Sequence, residues 1–358
     1  MEFFLAITSS FLLSFSALKF LRPFAIKVGL VDKPCTRKQH LGHVPLIGGI
    51  AVFFGVLVSS SIWLSVSAEL VTYLLTAAAM VCLGALDDKF DLSVGLRIGF
   101  QVFIATFMIV LADKYIINLG DLFLVGDIHL KYIGFFFTYV AVIAMINAFN
   151  MVDGIDGLLG LVSINALGAI AVLLLIKGQE NLFTILIIAA LIPYLIFNLG
   201  VFGTRYRKVF MGDAGSMFIG FTVVWLLVLN TQGESAGFRP VTALWVVSIP
   251  LMDMASIIIR RLKKGGSPFR ADREHLHHIL LRLGFSANHT LYIIISFSIV
   301  FSTVGILAEW LNIHESIMFT SFILAFFLYN YLIQNIWQLR KNLKKMKVKI
   351  RRQKMASY

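Results

Sequence analysis

Eleven long apolar stretches, each near the roughly 20 residues that carry a helix across a bilayer, divide the chain. They cover residues 3–21, 45–67, 70–86, 95–112, 132–151, 158–176, 182–202, 215–231, 241–259, 290–310 and 316–337. The pattern predicts an all-α polytopic integral membrane protein of about 11 transmembrane helices. The first stretch has no basic run before it and is followed by Arg22 and Lys27, so it reads as a retained helix rather than a cleaved signal peptide.

The polar positions between these stretches carry the chemistry. The densest interruption is Asn147-Ala-Phe-Asn150-Met-Val-Asp153-Gly-Ile-Asp156-Gly-Leu-Leu-Gly160, flanked on both sides by apolar segments. If helical, Asn147, Asn150 and Asp153 recur every third residue and Asp156 continues the row, so oxygen ligands converge on one side. The glycines keep the backbone bare beside them, which suits a metal ion and a phosphate. The plainer alternative is that these groups satisfy one another at a helix break.

Composition agrees with the pattern. Of 358 residues 59% are hydrophobic and 14% charged, against roughly a quarter charged in soluble domains. Cys35 and Cys82 show no metal or redox spacing. The net charge of +12 is concentrated in alternate loops and the C-terminal end. Of the 31 Lys and Arg, the opposite side holds only Lys114, Lys131, Lys177 and Arg239. That asymmetry predicts a periplasmic N-terminus and a cytoplasmic C-terminus. Residues 1–339 then form one transmembrane catalytic domain, with cytoplasmic loops at 22–44, 87–94, 152–157, 203–214 and 260–289. Residues 340–358 are a basic tail, read as an anchor on anionic lipid and not as a nucleic-acid arm.

Under this topology Asp87, Asp88, Asp153, Asp156 and Asp213 all reach the cytoplasmic face, as the walls of one site would. Asp87 and Asp91 would share a helix face suited to a magnesium-pyrophosphate complex. Phe210-Met-Gly-Asp213-Ala-Gly-Ser216 sets a carboxylate where a helix starts, beside backbone N–H groups open to a phosphate; a plain N-cap is the competing reading. Arg37, Lys38 and His40 lead into Pro45 and the Gly48-Gly49 pair, where cations at a glycine-rich helix start suit an anion, or simply enforce topology. The loop after residue 260 carries Asp272, Arg273, His275, His277 and His278, donors for a sugar phosphate; a zinc reading of the histidines lacks further ligands. Asp253 reads as a structural partner for that loop. Arg205, Arg207 and Lys208 read as topology-enforcing charges, and residues 118–131 as a turn or short hairpin.

Taken together, Arg37 to His40 with Pro45 to Gly49, Asp87-Asp88, Asn147 to Gly157, Phe210 to Ser216, Pro250 to Asp253 and Asp272 to His278 resemble the polyprenyl-phosphate N-acetylhexosamine-1-phosphate transferase family. The chain looks most like the bacterial undecaprenyl-phosphate N-acetylglucosaminyl-1-phosphate transferases of the WecA type. The His-x-His-His ending resembles that branch rather than the peptidoglycan branch. Asp91 stands where other branches carry Lys, so a cationic role there is not carried over.

The resemblance implies transfer of N-acetylglucosamine 1-phosphate from UDP-N-acetylglucosamine to undecaprenyl phosphate with release of UMP. That is the first membrane step of O-antigen or enterobacterial-common-antigen-type glycan synthesis, at the bacterial inner membrane. It implies Mg²⁺, with Mn²⁺ as a substitute. Asp156 and Asp213 would bind the metal; Asn150 and Asp153 would position the nucleotide; Asp87, Asp88 and Asp156 would be catalytic, the first two orienting the lipid phosphate. Arg37, Lys38, His40, Arg273, His275, His277 and His278 would hold the phosphates and sugar. The implied partners are the two substrates and membrane lipids, with a homodimer left open and nucleic acid excluded. Another UDP-N-acetylhexosamine donor, an intramembrane prenyltransferase and a lipid transporter are the alternatives.

Overall fold

A computed structural model describes residues 1–32, 43–204, 207–234, 236–267 and 274–356, with side chains through residue 336. Thirteen helices account for most of these residues. In chain order they are α1 (Glu2–Val28), α2 (Gly48–Trp63), α3 (Ala68–Phe90), α4 (Val94–Val110), α5 (Ile133–Val152), α6 (Leu158–Ile176) and α7 (Leu182–Leu199). There follow α8 (Gly212–Thr231), α9 (Pro240–Val246), α10 (Ser248–Lys263), α11 (Leu276–Arg282), α12 (Ala287–Trp310) and α13 (Glu315–Ala356). Two short antiparallel strands, β1 (Val31–Asp32) and β2 (Val44–Pro45), pair with Val31 opposite Pro45.

Eight helices are long and apolar enough to cross a membrane: α1, α3, α5, α6, α7, α8, α12 and the Glu315–Ile336 part of α13. The expected ninth stretch is not one straight helix. It is the pair α9 and α10, bent by 82° at Val247. Val247 leaves helical geometry, and Pro250 in the next turn has no N–H to carry the ladder across the break. The two remaining stretches form α2 and α4, apolar helices of 16 and 17 residues. The result is a polytopic membrane protein.

Helix α8 is the axis of the bundle. It is apolar on nearly every face, as a helix surrounded by others must be, and 89% of its membrane window is buried. Small residues set how closely its neighbours approach. A Cβ on Gly49 of α2 would lie 2.1 Å from Gly215 Cα, and one on Gly84 of α3 2.3 Å from Ala214 Cα. The expectation that Gly48 and Gly49 serve an anion is therefore corrected. Their N–H groups donate to Phe210 and Met211 carbonyls, and their bare Cα atoms admit the start of α8. Within the low-dielectric interior, Ser10 and Ser14 of α1 donate to the Leu186 and Ala190 carbonyls of α7, and Tyr73 of α3 meets Thr222 of α8 at 2.8 Å. Large apolar side chains such as Phe24, Leu75 and Phe327 are exposed on the outside, the surface that lipid covers. At one end of the bundle Asn118 bridges His129 as a short hairpin, agreeing with the sequence.

Candidate active site

At the other end of the bundle, the last turn of α3, the loop from α5 to α6 and the first turn of α8 enclose a cleft of about 590 Å³. Seven carboxylates line it: Asp32, Asp87, Asp88, Asp91, Asp153, Asp156 and Asp213. Sequence-distant acids thus share one wall, as expected. Their local geometry, however, is not a helical row.

Asp91 lies past the end of α3, in the left-handed conformation (φ 51°), with its N–H donated to the Asp87 carbonyl. It does not share a helix face with Asp87, which corrects that expectation. Likewise α5 stops at Val152, so Asp153 and Asp156 leave the helix and the row ends at Asn150. Asn147 is corrected too: it donates to Gln101 and to the Ile143 carbonyl and does not line the cleft.

The acids differ in how they are held. Buried Asp87 accepts from Leu92 N–H at 2.8 Å and from Arg97 at 2.8 Å. Asp88 accepts from the N–H groups of Asp213 (2.9 Å) and Ala214 (3.2 Å). The backbone donors expected to await a phosphate at the start of α8 are therefore occupied by a carboxylate from α3, a favourable partner for that end of the helix. Asn150 donates to Asp213 Oδ1 at 2.7 Å and to Ser216 at 2.9 Å, fixing the Asp213 side chain. Asp156 receives Lys208 Nζ at 2.5 Å.

Three residues matter here that sequence reading passed over. Arg97 neutralises Asp87. Asn198 accepts Gly157 N–H at 2.6 Å and donates to the Val209 carbonyl at 2.9 Å, tying the acidic loop to the segment before α8. Lys208 reaches the cleft although it had looked like a topology charge. Asn198 carried a usable signal, a lone amide inside an apolar run.

The histidines pack behind the cleft rather than lining it. His275 Nδ1 lies 3.1 Å from Asp253, which also accepts Leu276 N–H and the Tyr329 hydroxyl, so Asp253 is the structural anchor expected. His277 is 3% exposed, and its Nε2 has no hydrogen-bond partner and faces Gly154 in the acidic loop. Burial, with His278 and His275 adjacent, pushes its pKa down to about 3, so the ring is neutral at physiological pH. His278 packs on it at 4.2 Å between ring centres. Arg37, Lys38, His40 and Arg273 lie outside the described residues.

Comparison with known proteins decides the family. A model of glycosyl transferase family 4 matches residues 70–231, from α3 through α8, the segment that holds all the cleft acids except Asp32. The undecaprenyl-phosphate α-N-acetylglucosaminyl 1-phosphate transferase of Escherichia coli K12 is 45% identical over 352 residues, 98% of this chain and 96% of that one. The enzyme of the same name from Salmonella typhi is 45% identical over 93% of this chain and 91% of its own. That from Pasteurella multocida is 43% identical over 97% and 98%. The chain belongs to this transferase family.

The oxygen donors of the cleft suit a hard cation. Asp87, Asp88 and Asp213 line the same cleft, with the Asp213 N–H donated to Asp88, an arrangement of like charges that calls for a cation. Among the described residues no three His, Cys, Asp or Glu side chains converge as a ready-made metal cage. Mg²⁺ is commonly held by one or two carboxylates plus phosphate and water, and the cleft supplies the carboxylates.

Proposed function

We propose that the protein transfers N-acetylglucosamine 1-phosphate from UDP-N-acetylglucosamine to undecaprenyl phosphate at the cytoplasmic face of a bacterial inner membrane. The observation that carries the reading is the acid-lined cleft at the helix ends, in a chain 45% identical along almost its whole length to enzymes bearing that name. The accompanying topology is eleven crossings with the N-terminus periplasmic, supported by the one-sided distribution of Lys and Arg.

In the reaction an oxygen of the lipid phosphate attacks the phosphorus bearing the sugar. The bond between the two phosphoryl groups breaks, and UMP leaves. A phosphate monoester with its second pKa near 6 is already largely dianionic, so the site need not remove a proton. Its task is to bring anions together. Bound Mg²⁺ would neutralise the diphosphate and the departing UMP. Asp213 and Asp156 would hold that ion, and Asn150 holds Asp213 in the rotamer that faces the cleft. Asp87 and Asp88 act largely by position: Arg97 fixes the first, and the second fixes the backbone under Asp213. Asp253 anchors the histidine segment, whose His277 packs beneath the acidic loop. Arg37, Lys38, His40 and Arg273 would contribute cations from the flanking loops.

The test supplies UDP-N-acetylglucosamine and undecaprenyl phosphate to membranes containing the protein and measures UMP and lipid-linked product. Turnover should exceed that with UDP-glucose or a UDP-muramyl pentapeptide, and should vanish in Asp213→Asn while the protein remains extractable. Equal use of the muramyl donor would overturn the donor assignment, and unchanged Mg²⁺ dependence in Asp213→Asn would remove that residue from the metal site.

A further inference from the structure

Seven carboxylates face the cleft, and a substrate bearing two phosphoryl groups must enter it. Lys208 is the only cation among the described residues lining that cleft. Its placement is built in. Residues 208–210 lead into the parallel bridge between Phe210 and Leu46, and burial alternates along them. Val209 is fully buried, while Lys208 and Phe210 turn to the cleft. The backbone is pinned on both sides of the lysine's neighbour: Asn198 donates to the Val209 carbonyl, and Phe210 N–H donates to the Pro45 carbonyl at 2.9 Å. A charge needed only for orientation in the membrane would not require this register.

The ammonium lies 2.5 Å from Asp156 Oδ2 and 5.2 Å from the centre of the Phe210 ring. The pair is accessible, with side chains 26% and 46% exposed, so its net worth is small and it exchanges readily. A carboxylate oxygen occupied by an ammonium at that distance cannot also be a direct metal ligand. A cation that takes Asp156 Oδ2 displaces the ammonium, whose flexible stem ends in a point charge suited to a phosphate.

We propose that Lys208 is a substrate-binding residue that exchanges Asp156 for the diphosphate of the nucleotide-sugar donor. This rests on the reading of the cleft as the diphosphate-transfer site. Without the donor the lysine offsets Asp156; with the donor bound it would offset the diphosphate and leave Asp156 free to hold a cation.

The test measures binding directly, by equilibrium dialysis of the purified full-length protein in detergent with radiolabelled UDP-N-acetylglucosamine. With Mg²⁺ present, Lys208→Gln should weaken binding about tenfold, the worth of one charge-assisted hydrogen bond, and raise KM in parallel. Lys208→Arg should retain most of the affinity. Uridine, which has no phosphate, should bind both variants as it binds the wild type. Unchanged donor binding in Lys208→Gln, or an equal loss for uridine, overturns the proposal. A second measurement does not depend on the stability of that variant. In EDTA, Asp156→Asn frees the lysine and should bind the donor more tightly than wild type; adding Lys208→Gln should abolish the gain. A gain that survives in the double variant reflects only the lost negative charge and also overturns the proposal. Failure of the wild type to form UMP would instead sink the functional reading itself.

Discussion

Asp88 accepts the backbone N–H of Asp213 at 2.9 Å and that of Ala214 at 3.2 Å, so the end of α3 caps the start of α8. Asp88→Ala leaves two N–H groups of the first turn without acceptors, in a part-buried setting. Loss of such a cap costs about 0.5–2 kcal/mol. Thermal unfolding in detergent should therefore shift downward, with a smaller shift for Asp88→Asn, which keeps one oxygen. An unshifted midpoint in Asp88→Ala would show that the cap contributes nothing.

Gly154 and His277 are in contact across the back of the acidic loop. A Cβ at Gly154 would sit 2.0 Å from His277 Nε2, so in Gly154→Ala either the loop carrying Asp153 and Asp156 or the buried ring must move, and the ring is packed in place at 3% exposure. A displacement near 1 Å costs turnover on the order of 10²-fold. Removing the ring as well, in Gly154→Ala/His277→Ala, should restore part of the rate. If the double variant is no faster than Gly154→Ala, the contact is not what positions the loop.

His277 also predicts a pH dependence. Its pKa falls from 6.5 to about 3 in the folded protein, chiefly through burial, so at pH between these values the unfolded chain binds a proton that the folded chain does not. Stability should decline as pH falls below 6.5, by up to about 1.4 kcal/mol per pH unit from this group. The decline continues until the folded-state pKa is reached. His277→Gln should show a shallower fall in unfolding midpoint between pH 6.5 and 4.5. Parallel curves for the two proteins would count against a buried neutral ring.

The topology can be probed with an impermeant thiol reagent in intact cells. Cys82 is exposed on α3, so Cys35 and Cys82 should first be replaced to remove background. Cysteine at Lys38, Ser267 or Ser357 should be protected, and cysteine at Gln179 or Gly233 labelled. Labelling of the first set from outside would invert the orientation and place the cleft on the wrong face.

The amino-acid sequence by itself determined that the chain is a helical membrane protein, because the cost of unpaired backbone in lipid turns each long apolar run into a helix. It also singled out Asp87, Asp88, Asn150, Asp153, Asp156 and Asp213, polar groups that are expensive near a bilayer and that the fold gathers in one cleft. Only the tertiary structure decided what each of them touches. Hydrophobicity reports that 241–259 is apolar but not that it bends at Val247. Periodicity put Asn147 in a row with Asp153 and Asp156, and Asp91 on one helix face with Asp87, yet α5 and α3 end before either row can form, and Asp91 reaches the cleft from beyond the helix end. The glycine pair at Gly48 and the N–H groups at Asp213 looked open to an anion, and both are occupied by neighbouring helices. Lys208 looked like one basic loop residue among several until the burial of Val209 turned it toward Asp156. Partner choice depends on distances between segments far apart in the chain, and residue type and local spacing carry no information about those distances.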